Sequence, residues 1–473
     1  VIPDYSYRGP SGAGAAMEGD PRVDPALYYQ DLKNVGKNYI IQKLNKSNNG
    51  GDWWDWTFNK AATQMHNLSA SGGTEKSKYH FGLGYTDQKG TMVESFLKRY
   101  SARVNTEFSP NKNLRIGENL NVIHQSNNSP GDGGATSAWR MCPLVPLYDI
   151  AGNWGGSFGG PDLSVNANQV ALAKRNVGTD NNYGWYIIGN AFAELNFLKD
   201  FTARTSLGFN TSNAFNHNFT ANQPENIEQS TVDNSLSVSA SYGSTMTWTN
   251  TLNYTKTIGK HDVKFIVGSE AVKYVYRSVA GGSAKFFSPD VDFQTLGNGT
   301  ISITNSSSVS KNALFSVFGR LDYTFDNKYL IGATLRRDGS SVFGPENRFG
   351  VFPSVSLGWR VTNENFMQNV TWLNDLKIRG SYGILGSQNN VSSVNSFSLY
   401  GSGLGTTYYD ITGSSTSTVL GFARSRIGNP YTGWEENVVS NLGFDATLLN
   451  NKLDLSVEYY KKSINGLLFT EPL

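Results

Sequence analysis

One segment of the chain spells a nucleophile motif. GGSFG, residues 155–159, fits G-x-S-x-G with Ser157 where an attacking hydroxyl would stand. Such an elbow needs a strand before the serine and a helix after it. The flanking text AGNWGGSFGGPD is glycine-rich on both sides and reads as flexible loop. Two acid pairs could do other chemistry: Asp290 and Asp292 in SPDVDF, and Glu435 and Glu436 in GWEEN. Glycoside hydrolysis needs two carboxyls about 5 to 10 Å apart, but these acids lie in loop text and read as solvated. His66, His80, His124, His217 and His261 show no metal-ligand spacing. A first hairpin would bring His66 and His80 near one another on its polar side, the one pairing worth testing. Cys142 is the sole cysteine, which excludes an intrachain disulfide and a thiolate cluster. The expectation is a protein with no catalytic residue, no metal and no cofactor.

Rings and charges remain as means of binding. Trp139, Trp154 and Trp434 fall on loops or their edges, with Trp53, Trp54 and Trp56, where an indole can stack on a sugar or pack against a partner. Trp248 and Trp359 fall on strands and read as membrane-interface aromatics. Arg320, Asp322, Arg336, Asp338, Arg360, Lys377 and Arg379 recur on alternate positions of consecutive strands. They are read as lumen-facing charges, either bridging neighbouring strands or lining a substrate path.

The elements that must carry these residues are strands. Phe315, Val317, Leu321, Tyr323 and Phe325 alternate with Ser316, Arg320, Asp322 and Thr324, and three further strands through Ile384 keep the same division. The chain has 473 residues, 38% of them apolar, 13% aromatic and only 16% charged, with 50 glycines. That mixture suits strands with one apolar and one polar face, in one large sheet. The expected strands run roughly 9 to 13 residues, against about 5 to 6 for a soluble strand and about 9 to 11 for one that spans a bilayer.

Connections alternate as well. Short turns such as GTEK, GKHD, DNK and LNNK are separated by long polar loops at 125–184, 211–245, 276–311 and 387–435. Short turns on one rim and long loops on the other are the layout of an outer-membrane barrel. The expected fold is all-β: a transmembrane antiparallel β-barrel with about fourteen strands present. Residues 1–60 are expected to form an extracellular loop region with a helix starting at Asp24 and Pro25, and residues 61–473 a partial barrel. A net charge of +2 with scattered Lys and Arg offers nucleic acid no basic block.

Several stretches carry a family resemblance. RRDGSSVFGPENRFGVFPSVSLGWR (336–360), ATQMHNLSASGGTEKSKYHFGLGYTDQKG (62–90), WTNTLNYTKTIGKHDVKFIVGSEA (248–271), LKIRGSYGILGSQ (376–388) and NPYTGWEENVVSNLGFDATLLNNKLDLSVEYYKK (429–462) resemble SusC/RagA-like TonB-dependent transporters of Bacteroidetes. The resemblance implies a 22-stranded barrel with an N-terminal plug, of which this chain would hold the barrel segment without plug or C-terminal strands. It also implies import of oligosaccharides, glycans or peptides across the outer membrane with a SusD-like surface lipoprotein. Energy would come through TonB, ExbB and ExbD. A passive porin and a soluble β-rich glycan-binding protein are the alternatives.

Overall fold

The computed structural model describes residues 1–32, 35–47, 50–128, 133–157, 163, 166–175, 181–226, 233–403, 407–410, 412–413 and 418–469. The chain opens with β1 (Tyr5–Gly9), β2 (Gly12–Ala16) and β3 (Ile40–Lys43), a small sheet in the order β2-β1-β3, followed by helix α1 (Trp53–Thr57). Then come β4 (Thr63–Gly73), β5 (Ser77–Lys89), β6 (Phe96–Asn111) and β7 (Leu114–Asn128), and the helices α2 (Gly133–Arg140) and α3 (Gln169–Arg175). They are followed by β8 (Asn181–Phe197), β9 (Phe201–Thr220), β10 (Ser235–Ile258), β11 (His261–Ala284), β12 (Ile301–Phe325), β13 (Tyr329–Ser340), β14 (Phe349–Arg360) and β15 (Leu373–Ser387). Two short ladders pair β16 (Leu399–Gly401) with β19 (Ala423–Arg426) and β17 (Tyr409–Asp410) with β18 (Thr418–Val419). The last strands are β20 (Glu435–Leu448) and β21 (Leu453–Asn465).

Strands β4 to β15, β20 and β21 form one 14-stranded antiparallel sheet in which each strand pairs with its neighbours in sequence. A meander needs only a tight turn at every second connection. Asp326 and Asn327, both at φ 52°, adopt the left-handed backbone that lets Phe325 face Tyr329 across a three-residue turn.

The sheet strands are 11 to 25 residues long; β4, β5, β13, β14 and β21 fall within the 9 to 13 expected, and the others exceed it. Register between β10 and β11 continues without interruption from Ile258↔His261 to Ser235↔Ala284, through text read as loop. Antiparallel ladders satisfy their backbone groups whatever the side chains are. Polar stretches such as TNSSS, residues 304–308 of β12, therefore extend as strands, where no apolar alternation marks them.

Period two divides the sheet into two faces. Trp248, Ala271, Phe315, Gly339 and Phe349 lie in one register row, and Trp248 and Phe315 are more than half exposed. An apolar face left open in this way belongs against hydrocarbon. Among the described residues no helix is long and apolar enough to cross a membrane.

The buried core lies mostly away from the sheet faces, on the rim with the long connections. Leu44, Trp53, Met141, Val145 and Leu163 form one cluster, Ala16, Val23 and Ile41 a second, and Phe219, Leu236 and Phe286 a third. The expected helix after Asp24 is replaced. Asp24 does accept a hydrogen bond from the Ala26 amide, but the turn ends at Leu27. Ile40 and Ile41 are fully buried in β3, which pairs with β1, and that burial outweighs the local helix signal.

Candidate functional site

The polar face of the sheet gathers the charges. Register places Arg320 opposite Thr334, Arg336 opposite Phe318, Asp338 opposite Ser316, Arg360 opposite Lys377 and Arg379 opposite Gly358. All seven candidate charges therefore share one face. They do not make a single cluster. Arg320 forms a bidentate pair with Asp322, 2.7 Å on each arm. Arg336 reaches Asp338 at 2.6 Å, Glu270 at 2.9 Å and the Ser316 hydroxyl at 2.8 Å. Arg379 bridges Asp445 at 3.1 Å and Glu458 at 3.0 Å. Arg360 and Lys377 are like charges in direct opposition, and each is offset by its own acid, Asp375 at 3.5 Å and Asp445 at 3.6 Å.

The same arrangement recurs on strands the sequence reading passed over. Arg115 binds Glu107 at 3.1 Å and Glu194 at 2.9 Å, and Glu194 also takes Arg204 at 3.2 Å. Phe192 lies beneath both guanidinium groups, 4.1 Å from that of Arg204. Their signal was present as alternation on β6 to β9, but pairing partners up to 79 residues apart are fixed by register alone.

On the turn-side rim, Asp326 accepts from Lys260 at 2.9 Å with Lys328 nearby, and these ammonium groups hold its carboxyl below the usual range. Glu364 is held low in the same way, first by the Tyr329 hydroxyl at 2.6 Å and then by the Trp359 indole at 3.1 Å.

The three candidate tryptophans are dispersed in role. Trp434 packs on Phe343 and Phe352, and Trp154 stacks on Tyr148 at 5.0 Å. Trp139, on α2, is 82% exposed and has no ring partner among the described residues. Of the other rings, Trp53 is buried, and Trp248 and Trp359 stand on the apolar face.

His66 pairs with Tyr85 and His80 with Ser71, so the two histidines point to opposite faces and cannot share a ligand. His66 instead joins an aromatic belt on the apolar face with Tyr85, Tyr100, His124 and Trp185. Among the described residues no group of three His, Cys, Asp or Glu could hold a metal ion.

Ser157 is fully buried in irregular chain, with no strand before it; Phe158 and Gly159 of the motif lie outside the described residues. Beside it, the Gln42 side chain donates to the Gly156 carbonyl at 2.8 Å and accepts from the Gly156 amide at 3.0 Å. Glu225, fully buried, holds Arg175 through two bonds of 2.6 and 2.9 Å in the same outer layer. Glu435, read as solvated, is buried and accepts from the Leu468 amide at 3.2 Å. Asp290 caps a short turn at Asp292.

Comparison with known proteins agrees with this geometry. Residues 144–473 match the family described as TonB dependent receptor-like, beta-barrel. TonB-dependent receptor P39 of Formosa agariphila is 29% identical over 411 residues, covering 86% of this chain and 38% of that protein. TonB-dependent receptor SusC of Bacteroides thetaiotaomicron is 28% identical over 447 residues, covering 88% and 42%. The RagAB peptide importer in its open-open state superposes with a TM-score of 0.76 at 26% identity, covering 90% of this chain and 46% of the matched one. The chain thus spans less than half the length of these relatives. With its meander sheet, its apolar outer face and a match over most of its length, the chain belongs to the TonB-dependent receptor β-barrel family, is SusC/RagA-like, and is an outer-membrane protein.

Proposed function

We propose that the protein containing this chain imports an oligosaccharide, glycan or peptide across the outer membrane, driven by TonB with ExbB and ExbD. Residues 1–60 serve as an outer-surface segment, and residues 61–473 as part of the barrel wall. A SusD-like lipoprotein delivers the nutrient to the outer rim. The observation that carries this reading is the polar face. Its arginines are paired with acids strand by strand, which suits a lumen wall that holds a plug and lets a polar solute pass. The folded layer of outer connections supports a docking surface for the lipoprotein, and the relative solved as RagAB is called a peptide importer. In this reading the protein carries its substrate and does not convert it.

The test is uptake. Cells carrying the intact gene should take up labelled peptides or oligosaccharides only while TonB is functional, and deletion should abolish that uptake. Uptake that persists without TonB would make the protein a passive porin and overturn the proposal.

A further inference from the structure

The apolar face carries a groove that hydrocarbon packing between strands does not account for. It has a volume of ≈ 620 Å³ and runs over Ala271 and Ala313, between Met246 and Trp248 on one side and Phe315 and Phe349 on the other. Large and small residues alternate along the row Trp248, Ala271, Phe315, Gly339, Phe349. The Phe349 ring lies over Gly339, where a Cβ would stand 2.4 Å from it, so the opening is at Ala271. Trp248 and Phe315 stand on either side of β11, two strand spacings apart, leaving a slot about 10 Å across.

The second observation is charge. Lys273 and Arg348 line the same groove, and the Arg337 guanidinium lies 4.0 Å over the Phe349 ring. All three are exposed, and among the described residues none of them pairs with a carboxylate. This contrasts with the opposite face, where Arg320, Arg336 and Arg379 are matched by acids. Their height is also particular. Lys273 lies eight residues above Phe265 on β11, which at the tilt of a membrane strand is roughly 20 Å toward the rim of long connections. That is the level of the outer-leaflet headgroups, where Arg337 reaches by extending along the apolar wall.

We propose that this groove seats an acyl chain of a phosphorylated outer-leaflet lipid, with its phosphate held among Lys273, Arg337 and Arg348. A cation cluster at the end of an apolar slot is complementary to a molecule that carries an anion at the head of a hydrocarbon chain. Phosphate suits this cluster because guanidinium and ammonium groups both bind its oxygens with charge-assisted hydrogen bonds. The site would fix one lipid against strands β10 to β14, on the side of the sheet away from the transported solute.

The experiment uses the intact protein in detergent, titrated with monophosphorylated lipid A and followed by native mass spectrometry. The expected result is a one-lipid adduct that weakens at least tenfold in the triple variant Lys273→Gln, Arg337→Gln, Arg348→Gln. It should weaken equally in Ala271→Phe, which fills the slot and leaves the charges, while Lys273→Arg binds as wild type. Resistance of each variant to SDS before heating establishes that it is folded. Undiminished binding by the folded triple variant overturns the site. So does equal binding of the phosphate-free lipid, or displacement of the adduct by millimolar inorganic phosphate, which would mark a free-anion site.

Discussion

The ring of Trp434 meets that of Phe352 nearly edge-on at 5.3 Å, while its indole N–H donates to the Arg348 carbonyl at 3.2 Å. These contacts tie the β13–β14 loop to the segment entering β20, and Asn347 adds a bond to the Tyr431 carbonyl at 2.7 Å. Phe343 is buried and packs on Trp434 as well, with ring centroids 4.9 Å apart. The loop SSVFGPEN is therefore an anchor on the outer rim, and its glycine and proline text describes a packed turn.

Phe352→Ala should destabilise this rim by about 3 kcal/mol, since it empties a buried aromatic site. Gly386→Ala should act on the same place from the opposite direction, because a Cβ there would stand 2.1 Å from a Phe352 ring carbon. Hydrogen exchange measured over 340–350 and 430–436 should accelerate in both variants. Unchanged exchange in both would show that the rim holds without the ring.

Arg336 is the hub of three bonds on the polar face, to Asp338, Glu270 and Ser316. Arg336→Met keeps much of the stem and removes the charge, leaving two acids close together. It should lower stability by about 1 kcal/mol, the partial exposure of the group limiting the loss. Arg336→Lys should recover only part, because an ammonium cannot reproduce the fork. The melting temperature of the purified protein, compared between the two variants, decides this. Equal loss in both would mean that charge contributes nothing there.

How much of this was legible in the sequence follows from what is local. The two faces of β12 to β15 and the tight turns could be read because alternation and turn residues act within a few positions. The pairing of Arg336 with Glu270 could not, since Glu270 is 66 residues away and meets it only through the β11–β12–β13 register. The His66 and His80 pairing failed for the same reason: one residue of register decides which face a side chain takes. Asp24 shows the converse. Its cap is real, yet the chain after it is claimed by the buried pairing of Ile40 and Ile41 with β1.

The Asp326 turn should be sensitive to acid. Its carboxyl is depressed by Lys260 and Lys328, so the folded state binds its proton less readily than the unfolded chain does. Stability from this group is then present above the ordinary aspartate pKa and is lost as pH falls through the lower folded value. Amide exchange across 325–329, corrected for its intrinsic pH dependence, should rise as the solution is acidified below about pH 4. Asp326→Asn should remove the pH response, apart from what Glu364 contributes nearby. A variant that keeps the full response would place its origin elsewhere.

Gln42 tests the outer layer from within. Its amide closes two bonds on the Gly156 peptide, in a place where both residues are buried. Gln42→Leu leaves the Gly156 amide and carbonyl without that partner and should cost about 2 kcal/mol. The loss should appear as faster exchange at 153–157, with the meander sheet unaffected, because the contact lies in the connections and not in the ladder. Loss of the sheet itself would show that the outer layer and the strands unfold as one unit.

Trp139 separates binding from packing. It is 82% exposed, whereas Trp154 and Trp434 are engaged by Tyr148 and by Phe343 and Phe352. If an indole on this rim contacts solute or a partner lipoprotein, Trp139 can do so without first breaking a packed contact. Trp139→Ala should therefore leave the melting temperature within about 1 °C, in keeping with the small effect of surface substitutions, while reducing solute uptake or lipoprotein capture several-fold. Trp434→Ala should instead lower the melting temperature and loosen the β13–β14 loop. If Trp139→Ala leaves uptake and capture at wild-type levels, the contact role passes away from this ring, and its exposure is that of an ordinary surface residue.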